Sequence, residues 1–564
     1  MLYRKLVISF FLTGIALVSF GQQGERYEKL LEEVSRFGQA EVSFAYPGYR
    51  ELTDIGRLVP VSTVKDGMVY CVLSATDISG FLNLGLTYKL IERDDGKSVE
   101  SATSAEEAMN WDLYPTYGQY DTIVHKLAAD YPLLCRVDTI GESVGGRLIL
   151  ALKISDNVHQ DEDEPEVFYT SNMHGDELQG FVLMLRFAEH LLKNAANGGL
   201  EQVLVDSLEI WINPLSNPDG TYNFGDTISY PTRFNANGTD LNRNFPDPLN
   251  PNIVPDVENI AMINFMRNRN FVLSANFHAG YEVVNFPWDR WLSKIHADSV
   301  WFYDISRKYA DTVHNHSVAA YMDSYNDGVV RGAVWYQVIG GRQDFVSYEL
   351  QGREVTVELD DTKETPAAQL PLLWDYNYRS LLAFLENACY GIHGRVVDDS
   401  TGEPLKARIF ISGHDRDSSH VYSDSLTGKF VRMLSPGTYN LSVSATGYAN
   451  RIVSGITVED ARQTYITVRM GLASSVDEHP GENKLNIWPV PSADHIFLGT
   501  GNFMGSRINI SIYSHPGMKV MDLQDILVVN DRIQIDISHL PPGYFLLSLS
   551  DNRGKNYIGR FIKR

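Results

Sequence analysis

The 564-residue chain has few cysteines and a deficit of positive charge. Its three cysteines, Cys71, Cys135 and Cys389, allow at most one internal disulfide, which excludes a small fold held together by disulfides. Its 48 lysines and arginines face 71 aspartates and glutamates, so the formal net charge is −23. This charge repels phosphate backbones and anionic membranes. We therefore expect no nucleic acid partner and an attraction for positively charged substrates.

Apolar runs of membrane-spanning length are also missing, since a spanning helix needs about 20 residues. The N-terminal stretch from Leu6 to Phe20 is shorter; it follows Arg4 and Lys5 and is followed by Gly21. This pattern predicts a signal peptide, residues 1–21, cleaved near Gly21. The sequence thus predicts export and no transmembrane segment after cleavage.

The length of the chain predicts several domains, because 564 residues are too many for a single hydrophobic core. Residues 22–110 read as a small α+β domain that ends in an acidic linker. Residues 111–390 alternate strand-like and helical runs, which predicts an α/β domain with a mixed β-sheet flanked by helices. Two small all-β sandwich domains follow, at 391–471 and 485–564, with a linker at 472–484.

A histidine and a glutamate three residues apart follow the predicted strand "EVFYTSN". Ligands bind beyond the carboxyl ends of strands in open α/β sheets, so His174 and Glu177 can converge on one point. His278 directly follows another predicted strand, "VLSANF". Two histidines and one glutamate form a ligand set of catalytic zinc sites, whose fourth position is open to water. Each residue alone could be structural, and only the set of three favours a metal.

Further candidates lie in two later segments. Arg233, Asn242 and Arg243 belong to the turn-rich "TRFNANGTDLNRNFPD", and guanidinium groups bind carboxylates as a planar fork. The alternative is an exposed basic turn. Glu358 lies in the strand-like "REVTVELDD", where it could take a proton from a metal-bound water or simply face solvent.

Six motifs in residues 112–390 resemble the zinc carboxypeptidases of the M14 (funnelin) family, in that family's order and spacing. They are "SNMHGDE", "INPLSNPDG", "NANGTDLNRNFPD", "LSANFHAG", "WYQVIGGRQD" and "EVTVEL". The resemblance implies one Zn²⁺ per catalytic domain, bound by His174, Glu177 and His278. It further implies that Glu358 is the general base that activates the zinc water, and that Arg233 stabilises the oxyanion.

The same resemblance implies a substrate site for peptide C-termini. Asn242 and Arg243 would bind the terminal carboxylate, and Tyr336 would close over it. The motifs "HGDE", "HAG" and "DLNRNFPD" resemble those of the N/E (regulatory) subgroup. In that subgroup, Asp289 and Gln343 correspond to positions of the pocket that binds the side chain of the substrate's C-terminal residue. The implied activity is release of C-terminal Lys or Arg from peptides.

The preference for basic residues stays open at this point. A buried carboxylate at Asp289 would favour Lys or Arg. However, Arg290 is adjacent to Asp289, and Arg342 is adjacent to Gln343. Either arginine could neutralise the pocket and broaden its specificity.

The flanking domains carry resemblances of their own. Residues 391–471, with "GIHGRVVD" and "PGTYNLSVSATGY", resemble the transthyretin-like domain of the same subgroup. Residues 485–564 resemble the C-terminal sorting domains of the type IX secretion system, which implies that machinery as a partner and delivery to the cell surface or the medium. Residues 22–110 are either an activation-like segment that covers the site or an accessory domain.

Two other functions are compatible with the fold. One is a surface-displayed peptide-binding protein on an inactive peptidase fold, which the presence of every ligand and of the base disfavours. The other is an amidase of the same family acting on cell-wall peptides, which Asn242 and Arg243 disfavour because they suit a free α-carboxylate.

Overall fold

The computed structural model describes residues 24–93, 99–250, 252–472, 485–514, 518–551 and 556–564. The predicted signal peptide and nearly all of the predicted linker 472–484 lie outside the described residues. The chain divides into two compact units, Met1–Ala473 and Ser474–Arg564. All three cysteines are free. Among the described residues, no helix combines the length and the apolar character that crossing a membrane requires.

The N-terminal domain begins with a helix over residues 24–37. A four-stranded antiparallel sheet in the order β2-β3-β1-β4 packs with this helix and two shorter ones, Tyr49–Ile55 and Ile78–Asn83. Strand β2 is at the edge of the sheet. The strands are β1 (Ala40–Ala45), β2 (Val61–Lys65), β3 (Met68–Leu73) and β4 (Lys89–Ile91).

The described part of the predicted acidic linker, residues 99–110, contacts the domain that follows. A short helix, Ala105–Ala108, begins at Ser104, whose side chain accepts a hydrogen bond from the Glu107 N–H. Ala102, Ala105 and Ala108 are buried in the core of the following α/β domain. The segment 99–110 therefore packs with the α/β domain.

The α/β domain is built on an eight-stranded sheet in the order β11-β10-β12-β9-β7-β8-β6-β5. Pairs β7–β8, β7–β9, β9–β12 and β10–β11 are parallel, and the others are antiparallel. The predicted mixed sheet is thus confirmed. The strands are β5 (Cys135–Glu142), β6 (Leu148–Ile154), β7 (Glu166–Ser171), β8 (Glu209–Asn213), β9 (Phe271–His278), β10 (Tyr281–Phe286), β11 (Val329–Arg331) and β12 (Arg353–Asp360).

Helices cover both faces of this sheet because its central strands are apolar on both sides. On β7, Val167 and Tyr169 belong to one core cluster, and Phe168 belongs to the cluster on the opposite face. The first face is covered by helices Tyr117–Asp130, Gln179–Asn194, Ser299–His314 and Leu370–Leu385. The second is covered by helices Val257–Arg267 and Arg342–Glu349. Shorter helical segments are Leu200–Val205, Pro218–Thr221, Leu241–Arg243, Ser324–Gly328, Gly332–Trp335, Ala367–Gln369 and Glu386–Cys389.

Two small all-β domains follow, as predicted. The first packs a sheet β16-β13-β19 against a sheet β15-β14-β17-β18. Its strands are β13 (Gly391–Asp398), β14 (Arg408–Ile411), β15 (Val421–Tyr422), β16 (Lys429–Arg432), β17 (Gly437–Ser444), β18 (Arg451–Val458) and β19 (Gln463–Met470).

The second all-β domain forms the separate C-terminal unit. It has sheets β20-β21-β24 and β23-β22-β25-β26, which enclose an apolar core. The strands are β20 (Ile487–Trp488), β21 (His495–Gly499), β22 (Arg507–Ser514), β23 (Lys519–Leu527), β24 (Arg532–Asp536), β25 (Gly543–Asp551) and β26 (Asn556–Lys563), and Gly501–Phe503 is a short helical turn.

A buried charge network joins the α/β domain to the first sandwich. Asp298 precedes helix Ser299–His314 and accepts hydrogen bonds from Arg353 Nε of β12 at 2.9 Å and from Arg432 Nη2 of β16 at 2.8 Å. Arg432 also pairs with Asp415 at 2.7 Å. Burial opposes ionisation of Asp298, but the two arginines outweigh it and hold the pKa of Asp298 below its usual value. The ion pair between Asp298 and Arg432 therefore links the charges of the two domains.

We expect Arg432→Met to lower the free energy of unfolding of the unit Met1–Ala473 by about 3 kcal/mol, because the buried carboxylates of Asp298 and Asp415 lose a cationic partner. Denaturant unfolding of the two proteins measures the difference. The depressed pKa of Asp298 gives stability that is present above its unfolded value of about 3.9 and lost as the pH falls through the folded value. The wild-type advantage should therefore shrink in acid.

Arg395→Met is the matched control for this change. Arg395 lies on β13, next to β16, and pairs with Asp163 at 3.0 Å with both side chains well exposed. Exposed ion pairs contribute about 0–1 kcal/mol. Equal stability losses in the two variants would contradict a structural role for the buried network.

Candidate active site

Three potential metal ligands meet at the carboxyl ends of two neighbouring parallel strands. His174 and Glu177 follow β7, and His278 is the last residue of β9. The two strands pair in parallel, with Ser171 opposite Phe277. One ligand atom of each residue lies within 4.8 Å of the others, and all three side chains are buried. The structure thus brings together the three residues that the sequence motifs suggested.

The donor atoms fit a zinc ion. Nδ1 of His174 lies 2.9 Å from Glu177 Oε1, Nδ1 of His278 lies 2.8 Å from Glu177 Oε2, and the two Nδ1 atoms are 3.1 Å apart. In a tetrahedral site with bonds of about 2.0 Å, ligand atoms are separated by about 3.3 Å. Two ring nitrogens and a carboxylate that converge in this way need a cation or a shared proton between them.

The outward ring nitrogens are held by two residues that the sequence analysis did not single out. Nε2 of His174 lies 3.1 Å from Asp240 Oδ1, and Nε2 of His278 lies 2.6 Å from the side-chain amide of Asn276. An acceptor such as Asp240 fixes the tautomer and the orientation of a ligating histidine. The Asn276 atom is an amide nitrogen, which donates, so it orients the His278 ring without holding a proton on Nε2. Asp240 lies inside the motif "TDLNRN", directly before the short helix Leu241–Arg243.

The protonation states also suit metal binding. Burial opposes ionisation of Glu177, but His174 and His278 outweigh it and hold its pKa well below the usual range. Burial lowers the pKa of His278. Ionised carboxylate and neutral imidazole are the forms that coordinate a metal.

Arg233 and Glu358 flank the three ligands. Arg233 is buried; its Nε donates to Asp240 Oδ2 at 2.8 Å, and its Nη1 lies 3.1 Å from His174 Nδ1. Glu358 of β12 is directly beside His278 of β9 in the parallel pairing. Burial, followed by the charge of Glu177, raises the pKa of Glu358 well above its usual value.

A cavity extends from these groups to the predicted substrate-binding residues. Its walls include the three ligands, Arg233, Glu358, Asn242, Arg243, Tyr336 and Asp289. Gln343 is not part of this wall. Its side chain is buried, and neither its oxygen nor its nitrogen has a hydrogen-bond partner among the described residues.

Asp289 places a buried carboxylate at one end of the cavity. Its Oδ1 accepts from the Asn285 amide at 3.0 Å. Gly332 leaves the space for this carboxylate, because a Cβ at that position would lie 1.5 Å from Asp289 Oδ1. Burial raises the pKa of Asp289 to about 6. The carboxylate is thus ionised, at some energetic cost, near neutral pH.

The two arginines that could have neutralised Asp289 are engaged elsewhere. Arg290 pairs with Asp247 at 3.2 Å, and Arg342 pairs with Glu354 at 3.0 Å. Within the described ranges, no lysine, arginine or histidine lies within ion-pair distance of Asp289. The charge of Arg243 offsets part of the effect of burial on the pKa of Asp289 without forming an ion pair with it, so the carboxylate has no cation as a direct partner among the described residues.

Comparison with known proteins assigns the family. Residues 120–380 match the description "Zinc carboxypeptidase", 391–471 match "Carboxypeptidase regulatory-like domain", and 486–564 match "Secretion system C-terminal sorting domain". Over 398 residues the chain is 34% identical to the human carboxypeptidase N catalytic chain, covering 62% of this chain and 85% of that protein. The chain belongs to the zinc carboxypeptidase family.

Two further similarities set the extent of the match. The chain is 35% identical over 382 residues to human carboxypeptidase D, covering 64% of this chain and 27% of that protein. It thus spans about a quarter of the length of that relative. The crystal structure of carboxypeptidase A from Helicoverpa armigera superposes with a TM-score of 0.50 at 18% identity, covering 62% of this chain and 97% of that one. This likeness confirms the fold.

We expect the protein to bind about one zinc ion per chain and His278→Ala to bind almost none, because two remaining ligands rarely retain zinc. Elemental analysis after dialysis measures the metal content. His414→Ala is the matched control, because His414 belongs to a second acidic and histidine cluster with Asp298 and Asp415, which Arg432 already fills. Equal zinc loss in the two variants would contradict the proposed ligand set.

Proposed function

We propose that this zinc carboxypeptidase is an exported enzyme that removes one C-terminal residue, lysine or arginine, from peptides or proteins. The observation that supports this best is the shared cavity. Its walls combine three metal ligands, a carboxyl of raised pKa, two arginines and the carboxylate of Asp289. An exopeptidase needs this combination, since it must hold a free carboxylate at a fixed distance from the reacting bond.

Asn242 and Arg243 are proposed to hold the substrate's terminal carboxylate. The guanidinium of Arg243 offers a planar fork of N–H donors. The Asn242 oxygen accepts the Arg342 backbone N–H at 2.9 Å. This contact fixes the amide so that its NH₂ group is available to donate. Tyr336, on the same wall, would add its hydroxyl once a substrate is bound.

The chemistry follows from the groups around the ligands. Zinc held by His174, Glu177 and His278 would polarise the scissile carbonyl and lower the pKa of a nearby water molecule. Glu358 takes the proton of the attacking water and passes it to the leaving amine, and its raised pKa suits both steps. Arg233 donates to the oxygen that becomes negative in the transition state.

The unpaired Asp289 supports a preference for basic residues. A substrate guanidinium or ammonium group would supply the cation that Arg290 and Arg342 do not. A neutral side chain would leave the carboxylate buried and unpaired, which is costly. Discrimination would therefore come from a penalty against apolar residues as well as from attraction of Lys and Arg.

The match to a sorting domain supports the proposed location. Residues 486–564 match the secretion system sorting domain, and the sequence predicts a signal peptide. We therefore propose passage through the periplasm and delivery by the type IX machinery to the cell surface or the medium. Removal of the sorting domain on delivery is part of this proposal.

Glu358→Gln should lower kcat for blocked dipeptides ending in Arg by about 10²- to 10⁴-fold, because the amide cannot accept the proton. Zinc content should stay unchanged. Glu349→Gln makes the same chemical change at an exposed helix position and should retain full activity. A zinc-loaded wild-type protein that hydrolyses none of a panel ending in Arg, Lys, Leu, Phe or Glu would favour the peptide-binding alternative.

Asp289→Asn should lower kcat/KM for an Arg-terminal dipeptide by about 30-fold or more, because one partner of a buried charge pair is lost. The value for a Leu-terminal dipeptide, measured on the same preparation, should not fall.

The pH dependence gives a second measurement on the same pair of enzymes. Cation binding needs ionised Asp289, whose pKa is raised to about 6. The wild-type ratio of kcat/KM for Arg over Leu should therefore fall as the pH drops through about 6, because kcat/KM reports groups of the free enzyme. The ratio should be flat in Asp289→Asn. A wild-type enzyme that prefers Leu or Phe would exclude the proposed pocket.

A further inference from the structure

The N-terminal domain contributes one buried side chain to the catalytic centre. Gln39 directly precedes β1, and its side chain lies between two loops of the α/β domain. Its oxygen accepts the Arg233 backbone N–H at 2.7 Å and the Thr232 hydroxyl at 3.0 Å. Its nitrogen donates to Asp176 Oδ2 at 3.1 Å. One amide thus ties the segment of the oxyanion arginine to the loop of the metal ligands.

A glycine turn at the end of the first helix places the Gln39 side chain between these two loops. Helix 24–37 ends at Gly38, whose φ is 81° and whose N–H donates to the Val34 carbonyl at 2.8 Å. Glycine adopts this left-handed conformation without strain and commonly ends helices in this way. A Cβ at Gly38 would lie 2.4 Å from the Asn223 side chain. The turn therefore needs glycine both for its backbone angle and for close contact with the α/β domain.

Other contacts make the N-terminal domain a fixed wall of the cavity. Strand β2 is an edge strand, and such edges need a cover for their free backbone groups. Here Arg243 donates to the Val61 carbonyl at 2.8 Å, and the Tyr336 hydroxyl donates to the Ser62 carbonyl at 3.1 Å. A register shift in β2 between Val61 and Thr63 presents two successive carbonyls to the site.

The two domains also share one hydrophobic core. Leu30, Val42 and Phe44 of the N-terminal domain belong to the same cluster as Tyr281 and Trp335 of the α/β domain. Separation of the domains would expose this cluster, and buried apolar area contributes roughly 25 cal/mol per Å². The contacts of Gln39 are therefore part of the resting fold.

We propose that Gln39 is a positioning residue for the carboxypeptidase reaction: it holds Arg233 at the oxyanion position relative to the metal-ligand loop. This inference rests on the proposed role of Arg233. The side chain of Arg233 is held by its ion pair with Asp240. The backbone of Arg233 is held separately, because its N–H donates a hydrogen bond to the side-chain oxygen of Gln39. The N-terminal domain is accordingly a component of the active enzyme, and the site is incomplete without it.

The test compares Gln39→Met and Gln39→Glu in the full chain. Methionine has a similar length and neither accepts nor donates, so kcat for an Arg-terminal dipeptide should fall about 10- to 100-fold while KM changes little. Glutamate keeps an oxygen for the Arg233 N–H but replaces the donor to Asp176 Oδ2 by a second carboxylate oxygen, so kcat should recover in part and exceed that of Gln39→Met. Zinc content should match wild type in both variants.

Lys65→Met is the matched control. Lys65 also links the N-terminal domain to the α/β domain, through a partly exposed pair with Asp361 at 2.6 Å. Exposed pairs contribute little to stability, so kcat should not change. Thermal unfolding of all variants separates loss of stability from loss of positioning. If kcat merely follows stability across the three variants, or if Gln39→Met and Gln39→Glu lose equal activity, the inference is wrong.

Arg233→Lys separates this inference from the proposed function. A large loss of kcat in Arg233→Lys together with an unchanged kcat in Gln39→Met would overturn the positioning role alone. An Arg233→Lys enzyme of full activity, or an inactive wild type, would overturn the proposed mechanism and with it the role of Gln39. A rise of kcat/KM in Gln39→Met would also overturn the inference, since the N-terminal domain would then restrict access to the site.

Discussion

The parallel pairing of β7, β9 and β12 is the constraint on which the catalytic centre depends. Parallel strands end at the same edge of a sheet, and here the pairing places His278 directly beside Glu358 and brings the loop after β7 against the end of β9. A register slip of one residue would turn either side chain to the opposite face. The helices on both faces of the sheet stabilise this register, so the whole α/β core supports the geometry of a few side chains.

The α/β domain also contains several buried ion pairs. Arg233 with Asp240, Arg342 with Glu354 and Arg353 with Asp298 are buried ion pairs around the sheet. Such pairs rarely add stability over apolar residues, but each fixes an orientation because neither partner can be left alone. Asp289 differs from these pairs, since its carboxylate has only an amide as side-chain partner. This contrast supports its proposed role as a binding group.

Much of the site was predictable because its ligands lie in short motifs that follow strands. The rule that strand ends converge suggested His174, Glu177 and His278 as a set. The position of Glu358 within a β-branched strand left two interpretations open, and only the family resemblance implied its role as the base. The partners of Arg290 and Arg342 were not predictable, since adjacency in sequence suggested a contact with the pocket that the fold does not make. The role of Gln39 could not be predicted from a sequence motif, because its three hydrogen-bond partners lie more than 130 residues away in the sequence.

The core shared by the N-terminal and α/β domains has a consequence for how the protein is made. Val42 and Phe44 leave the ribosome long before Tyr281 and Trp335, the residues that cover them. Until the later segment arrives, the early domain presents an apolar face, and such faces are prone to aggregate. Contacts so distant in sequence also slow folding. The early domain is therefore most prone to aggregation in the interval before the α/β domain has been made.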